Sequence, residues 1–426
     1  MRLGGCFRGL VGWLVWLLAG PGWAGEGARG MRGAVATVHP AATRAGLEAL
    51  QAGGNAVDAA IACALTLGVV DGHNSGIGGG CFFLIRLADG RVVALDGRET
   101  SPRRATREMF LRDGRADPAL SQDGPLAAGV PGELAVLARA STNHGRLPLA
   151  RLLEQAASLA ERGFTLGPGY VARVGESRDA LRRFPAAAGL LLTPQGDPLP
   201  AGTLLRQPDL AATYRALARH GWAWFYDGEF ARRTGDWMAA NGGLLRREDF
   251  ADYRPRERPP VRGRYRGCDI ISFPPPSSGG VHVVEILNLL ERFRLRPLGD
   301  DSAEFVHLVA EAMKLAFADR AHWLGDPDFA RVPRGLVDKK YAAGLARRIS
   351  RERAAPVAGH GTPEGADSDW FGRENQRHTT HFSVADGEGN WVAATATVNT
   401  SFGSKVVIPG TGVFLNNQMD DFAAQP

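Results

Sequence analysis

The sequence predicts a large α/β chain, in which helical patterns alternate with short apolar strands closed by glycine turns. Three stretches carry that prediction. Ala42 to Val70, "ATRAGLEALQAGGNAVDAAIACALTLGVV", has helical spacing interrupted at Gly53 and Gly54. Cys81 to Glu99, "CFFLIRLADGRVVALDGRE", reads as two apolar strands about an Asp89-Gly90 turn. Thr379 to Asn399, "TTHFSVADGEGNWVAATATVN", repeats the strand–turn–strand pattern late in the chain. With 426 residues, 44% hydrophobic and 22% charged, the chain is long enough for one large core or several, and its composition is neither disordered nor fibrous.

The elements follow in order. "MRLGGCFRGLVGWLVWLLAGPGWAGEG" begins with Arg2 and Arg8, continues as an apolar run from Leu10 to Leu18, and turns to small residues before Gly25. These are the parts of a secretory signal peptide, residues 1–24, cut after Ala24. The run is well short of the ~20 residues a spanning helix needs. A soluble, exported protein, periplasmic or secreted, is expected.

Asn55 is a good cap for the second of the early helices, which is apolar nearly all round and so belongs deep in the core. "NSGIGGG", Asn74 to Gly80, precedes a strand rather than opening a helix. That argues against a dinucleotide-binding fingerprint and for close backbone packing. From about Thr106 to Arg254 helical patterns alternate with turns, and "LARLLEQAASLAERG" and "FARRTGDWMAANGG" close on glycine. "FPPPSSGGVHVVEILNLLERF" is a stiff proline segment entering a helix through serine. Ser277 and Ser278 lie outside any G-x-S-x-G context, which disfavours a nucleophilic serine. Arg351 to His378, rich in glycine, proline and charge, is expected to be an exposed, mobile loop where a chain can be cut without losing its core.

Charge and cysteine usage exclude several classes. The net charge is +5, and lysine occurs only at Lys314, Lys339, Lys340 and Lys405. The arginines are interleaved with acids, so no basic stripe for nucleic acid stands out. Once Cys6 leaves with the signal, Cys63, Cys81 and Cys268 are too few and too scattered for a disulfide framework and are expected to be buried as small apolar groups. The ten histidines show no ligand spacing, so neither a metal nor any other cofactor is expected.

The late hairpin carries the chemistry. Alternation puts Thr379, His381 and Ser383 on one face and Thr380, Phe382 and Val384 on the other. On the return strand Thr395, Thr397 and Asn399 form a polar line, and a turn between Gly387 and Gly389 sets Thr379 near Thr397. A threonine hydroxyl is a weak nucleophile that needs a base. If the His378–Thr379 bond were cut, the freed α-amine, titrating near about 7.7–8.0, would supply that base on the same residue. The hydroxyl could itself attack the His378 carbonyl and open the bond through an ester. Spacing alone leaves this beside the plainer alternative, a buried strand threonine.

"TTHFSVADGEGNWVAATATVNTSFGS" followed by "GVFLNNQMDDF" resembles the start of the small subunit of the γ-glutamyltranspeptidases, which are N-terminal-nucleophile hydrolases also called glutathione hydrolases. "GGNAVDAAIA", "SGIGGG", "LDGRETSPRRATREMF", "AAGVPG", "NGGLLRREDFADYRP", "FPPPSSGGVH", "ADRAHWLGDPDF" and "NNQMDDF" resemble further segments in family order. The resemblance implies a four-layer αββα sandwich made as one precursor that cuts itself, with a large-subunit region 25–378 and a small-subunit part 379–426.

It further implies a cut between His378 and Thr379, Thr379 as nucleophile and Thr397 as its hydrogen-bonding neighbour. Arg98 would grip the substrate α-carboxylate, and Asn399, Gln418 and Asp421 would hold the α-ammonium. The substrates implied are glutathione and other γ-glutamyl compounds, with water or the amine of an amino acid or peptide as acceptor. Family small subunits continue past the point where this sequence stops, so an incomplete small subunit is expected. The part beyond normally carries a serine pair for the carboxylate and a glycine pair for the oxyanion. Alternatives are an acylase, a poly-γ-glutamate transferase, or a non-catalytic remnant.

Overall fold

The computed structural model describes residues 30–366, 379–422 and 424–425. The expected signal peptide, the end of the loop before Thr379, and His378 itself lie outside the described residues.

The chain opens with β1 (Gly33–Ala36), α1 (Pro40–Gln51) and α2 (Ala56–Val70). Asn55 caps α2 as expected: its side chain accepts from Val57 and Asp58 N–H, and the Asp58 carboxylate accepts from Asn55 N–H, closing a capping box. The Asp58 carboxylate also receives the Arg146 and Leu147 N–H groups, which satisfies a charge buried inside the protein. All of α2 but Gly68 is buried, in keeping with its apolar circumference.

β2 (Gly80–Arg86) and β3 (Val92–Gly97) form the first hairpin, with Gly90 at φ 87° in its turn. Helices α3 (Glu133–His144), α4 (Leu149–Arg162) and α5 (Pro208–His220) follow. Then come β4 (Arg256–Arg258), the small hairpin β5 (Val261–Tyr265) and β6 (Cys268–Ser272), and helices α6 (Gly279–Leu290) and α7 (Ala303–Trp323). β7 (Thr380–Asp386) and β8 (Trp391–Thr397) close the series.

Among the described residues the main sheet has the order β1-β7-β8-β2-β3-β4, every neighbouring pair antiparallel. The last hairpin in sequence therefore lies in the interior of the sheet. Pairings Thr380–Ala396 and Val384–Val392 confirm the register expected from the alternation. One sheet face, carrying Phe83, Ile85, Phe382, Val384, Val392 and Ala394, is buried against α2 and α3. The other carries Phe82, Leu84, His381, Ala393, Thr395 and Thr397, all at least partly accessible. This helix-on-sheet pair supplies two of the expected layers. A second small core, built on Leu289, Leu308, Ala312, Leu315 and Leu345, joins α6 to α7. Phe273, from the segment between β6 and α6, packs on Phe82 of the open sheet face, with ring centres 4.4 Å apart.

Two expectations need correction. Cys63 and Cys81 are buried, but Cys268 is exposed, because it opens β6 directly after the turn from β5, and the first two residues of that strand are left uncovered. The segment after Arg351 is also not uniformly free. Its composition is that of a loose loop, yet Gly361 is fastened at both backbone groups: its N–H donates to Asp319 (2.6 Å), and its carbonyl accepts from the Trp323 indole (3.1 Å). A Cβ at Gly361 would lie 2.1 Å from the Tyr341 hydroxyl, so glycine is required for that approach.

Candidate active site

Thr379 stands one residue before β7, exposed, and its hydroxyl donates to Thr397 Oγ at 3.3 Å. Thr397 Oγ also accepts from Asn399 N–H at 2.9 Å. The pair exists because the β7–β8 register, one step beyond Thr380–Ala396, brings the two threonines opposite each other. Residues 78–80 of the glycine run let the late segment come close. A Cβ at Gly79 would meet the Thr397 carbonyl at 2.0 Å, and one at Gly78 the Phe414 carbonyl at 2.0 Å. The expected close-packing role of these glycines is thus met.

After β8 the chain turns sharply at Asn399, held at φ 80°, a conformation asparagine tolerates better than most residues. Asn399 Nδ2 donates to the Asn417 carbonyl at 3.0 Å, while its Oδ1 is buried without a hydrogen-bond partner. Residues Gln418–Asp421 form a 3₁₀ turn. Gln418 Nε2 donates to the Asp421 carboxylate, and Gln418 Oε1 is again buried without a partner. Asn416 fastens the turn's approach to the glycine run: its Nδ2 donates to the Gly78 and Gly129 carbonyls, and its Oδ1 accepts from Gly129 N–H.

Arg98 comes from the end of β3. Asp96 accepts the Arg98 N–H at 2.8 Å and, through its other oxygen, the Arg258 guanidinium at 2.6 Å, which fixes the turn. The Arg98 guanidinium lies over the Phe82 ring, 4.9 Å from its centre, and 3.7 Å from Glu99. It remains partly accessible, while the Glu99 side chain is almost wholly enclosed.

One cavity of about 370 Å³ gathers Thr379, Thr397, Arg98, Asn399 and Gln418. Asp421 stands outside it, exposed and bonded to Gln418. His378 lies outside the described residues. Ser277 and Ser278, disfavoured as nucleophiles, line the opposite wall at the start of α6, where Ser278 Oγ accepts from Arg320 Nε at 3.2 Å. An arginine at that distance supplies charge but no base, so their placement does not make them nucleophiles. His381, two residues from Thr379 on the same face, also lines the cavity and engages Thr395 Oγ at 2.8 Å. Burial lowers its pKa, favouring the neutral ring. Among the described residues no cluster of histidine, cysteine and acid groups could hold a metal ion.

Glu99 and Glu133 were not singled out by sequence, although adjacency to Arg98 was a signal for the first. Burial pushes Glu99 up to about 7, with Arg98 opposing, and Glu133 up to about 8. Each folded value lies above the ordinary 4.5, so the folded protein keeps a proton that the unfolded chain has released. The corresponding stability is intact below about pH 4.5 and is lost as pH climbs through 7 and 8. We expect the unfolding midpoint to fall across that window, with a slope of up to ~1.4 kcal/mol per pH unit for each such proton. Glu133→Gln should flatten the slope in a pH series of melting curves. An unchanged slope would remove Glu133 as its source.

A family model described as gamma-glutamyltranspeptidase matches residues 42–426. The chain is 40% identical over 400 residues to the glutathione hydrolase proenzyme of Escherichia coli, a match taking in 93% of this chain and 68% of the relative. It is 44% identical over 408 residues to the acylase ACY 1 proenzyme of a Pseudomonas species, covering 94% of this chain and 71% of that one. The crystal structure of the Helicobacter pylori gamma-glutamyltranspeptidase superposes with a TM-score of 0.74 at 38% identity, covering 78% of this chain and 95% of that one.

Proposed function

Because the chain belongs to the gamma-glutamyltranspeptidase family, we propose that it is a self-cleaving γ-glutamyl hydrolase and transferase with Thr379 as its nucleophile. The observation that carries this reading is chemical complementarity within one cavity. Arg98 lines the same cavity as the Thr379–Thr397 hydroxyl pair and as Asn399 and Gln418, whose side-chain oxygens are buried at its edge without donors. An α-amino acid head group has one carboxylate and one ammonium. Arginine's fork suits the first, and unfilled acceptors, with the Asp421 charge behind Gln418, suit the second.

In maturation, Thr379 Oγ attacks the carbonyl carbon of His378. The C–N bond breaks, the Thr379 nitrogen takes a proton, and the acyl group rests on oxygen as an ester. Water opens that ester, leaving a carboxylate on His378 and a free α-amine on Thr379. In turnover the amine takes the hydroxyl proton as Oγ attacks the γ-carbonyl, and returns it to the departing amine. Thr397 Oγ orients the nucleophile by accepting its hydrogen bond before attack. Water or an acceptor amine then releases the γ-glutamyl group; glutathione and related γ-glutamyl amides are the proposed donors.

The fragments 25–378 and 379–426 are the proposed subunit regions. Residues 1–24 support export to the periplasm or beyond. Among the described residues no helix is long and apolar enough to cross a membrane.

N-terminal sequencing of the smaller fragment tests the nucleophile: we expect Thr-Thr-His from position 379, and any other first residue overturns it. The 44% identity to an acylase proenzyme favours a second reading, hydrolysis of acyl groups without an ammonium. Comparing γ-glutamyl with glutaryl anilides separates the two readings. The Asn399 and Gln418 oxygens favour the γ-glutamyl donor.

A further inference from the structure

We propose that Ser121 sets the preference for ligands carrying an α-ammonium, acting as a positioning residue through Asp420. This rests on the γ-glutamyl reading of the cavity above. Asp420 lies inside the Gln418–Asp421 turn and is buried; it does not line the cavity. In a 3₁₀ turn, residues three apart are eclipsed, so Gln418 and Asp421 sit side by side, and their side chains are hydrogen-bonded. Asp420 is held from outside that turn. Its Oδ1 accepts the Ser121 hydroxyl at 2.5 Å, a contact between residues 299 apart in sequence, and Ser121 is itself almost wholly buried.

Ser121 Oγ also lies 3.0 Å from the Pro118 carbonyl, but a hydroxyl has one proton, and the carboxylate is the stronger acceptor. A neighbouring bond ties the same two segments together, Asn417 Nδ2 donating to the Gln122 carbonyl, and Lys405, from the loop after β8, pairs with Asp123 at 3.0 Å. Burial raises the Asp420 pKa and the Ser121 bond opposes that rise, so the hydroxyl helps keep the carboxylate charged in place.

Without Ser121, the buried Asp420 carboxylate keeps the Gln122 side chain and the nearby Lys405 charge but loses its hydroxyl donor, and the turn shifts to rebalance what remains. Gln418 and Asp421 move with it. Arg98 does not, because it is set from the end of β3 by Asp96. The loss should therefore fall on the ammonium half of the ligand and spare the carboxylate half.

L-Glutamate and glutarate separate the halves, since they share the carboxylates and differ in the ammonium. Their binding to the purified protein is measured by calorimetry for wild type, Ser121→Ala and the nearly isosteric Ser121→Cys, after melting curves establish that each variant is folded. We expect glutamate affinity to fall roughly tenfold in Ser121→Ala, less in Ser121→Cys, with glutarate unchanged. Equal losses for both ligands, or no loss for glutamate, would overturn the proposal. If Ser121→Ala does not fold, an unchanged glutamate-to-glutarate ratio in Ser121→Cys overturns it as well. A wild-type protein that binds both ligands equally would instead sink the γ-glutamyl reading, and this inference with it.

Discussion

Thr379→Ala is expected to leave the chain whole on a denaturing gel and to lower γ-glutamyl turnover by about 10⁴-fold or more. On the proposed mechanism two functions fail together, because one hydroxyl serves both: it opens its own peptide bond and later takes up the acyl group. Alanine keeps the backbone of β7 and its pairing to β1 and β8, so the variant should fold. Thr379→Ser retains the hydroxyl and should cleave and turn over, more slowly where the lost methyl loosens its rotamer. An uncut Thr379→Ala with wild-type turnover would show that neither the hydroxyl nor the amine of Thr379 carries the reaction. A cut Thr379→Ala would show that another group breaks the chain.

The second large effect is expected at Arg98. Arg98→Lys keeps a positive charge but gives up the two-pronged donor and the flat group that covers Phe82 at 4.9 Å. The Michaelis constant for a γ-glutamyl donor should rise about 100-fold, the equivalent of ~2.7 kcal/mol, with a smaller change in kcat. Self-cleavage should proceed as in wild type, because the peptide before Thr379 presents no α-carboxylate for Arg98 to grip. The combination of intact cleavage and weakened donor binding is the diagnostic result. An unchanged Michaelis constant would place the carboxylate elsewhere.

What could be read from sequence follows a physical rule. The β7–β8 register was legible because side chains alternate with a period of two and the glycines at 387 and 389 locate the turn; together they fixed Thr379 against Thr397. The capping of α2 and the crowding at Gly78 and Gly79 were legible for the same reason, since local residue chemistry determines them. The gathering of Arg98, Asn399 and Gln418 was not visible in any spacing. It came from the resemblance, and the fold brings together residues about 300 positions apart. The enclosed carboxyls of Glu99 and Glu133, the Ser121–Asp420 contact and the grip on Gly361 had no local signal. Each depends on what packs above it. Cys268 was misjudged because apolar neighbours in sequence do not guarantee a covering layer.

The strand order has a mechanical meaning for the matured molecule. β7 and β8 are flanked by β1 on one side and β2 on the other, so the shorter piece would be stitched through the middle of the longer one by two ladders of main-chain bonds. Such a piece cannot leave by undocking from a surface; releasing it means tearing the sheet in two. Severing the covalent link would therefore free an amine and a carboxylate to move apart locally while leaving the scaffold as cooperative as a single uninterrupted chain.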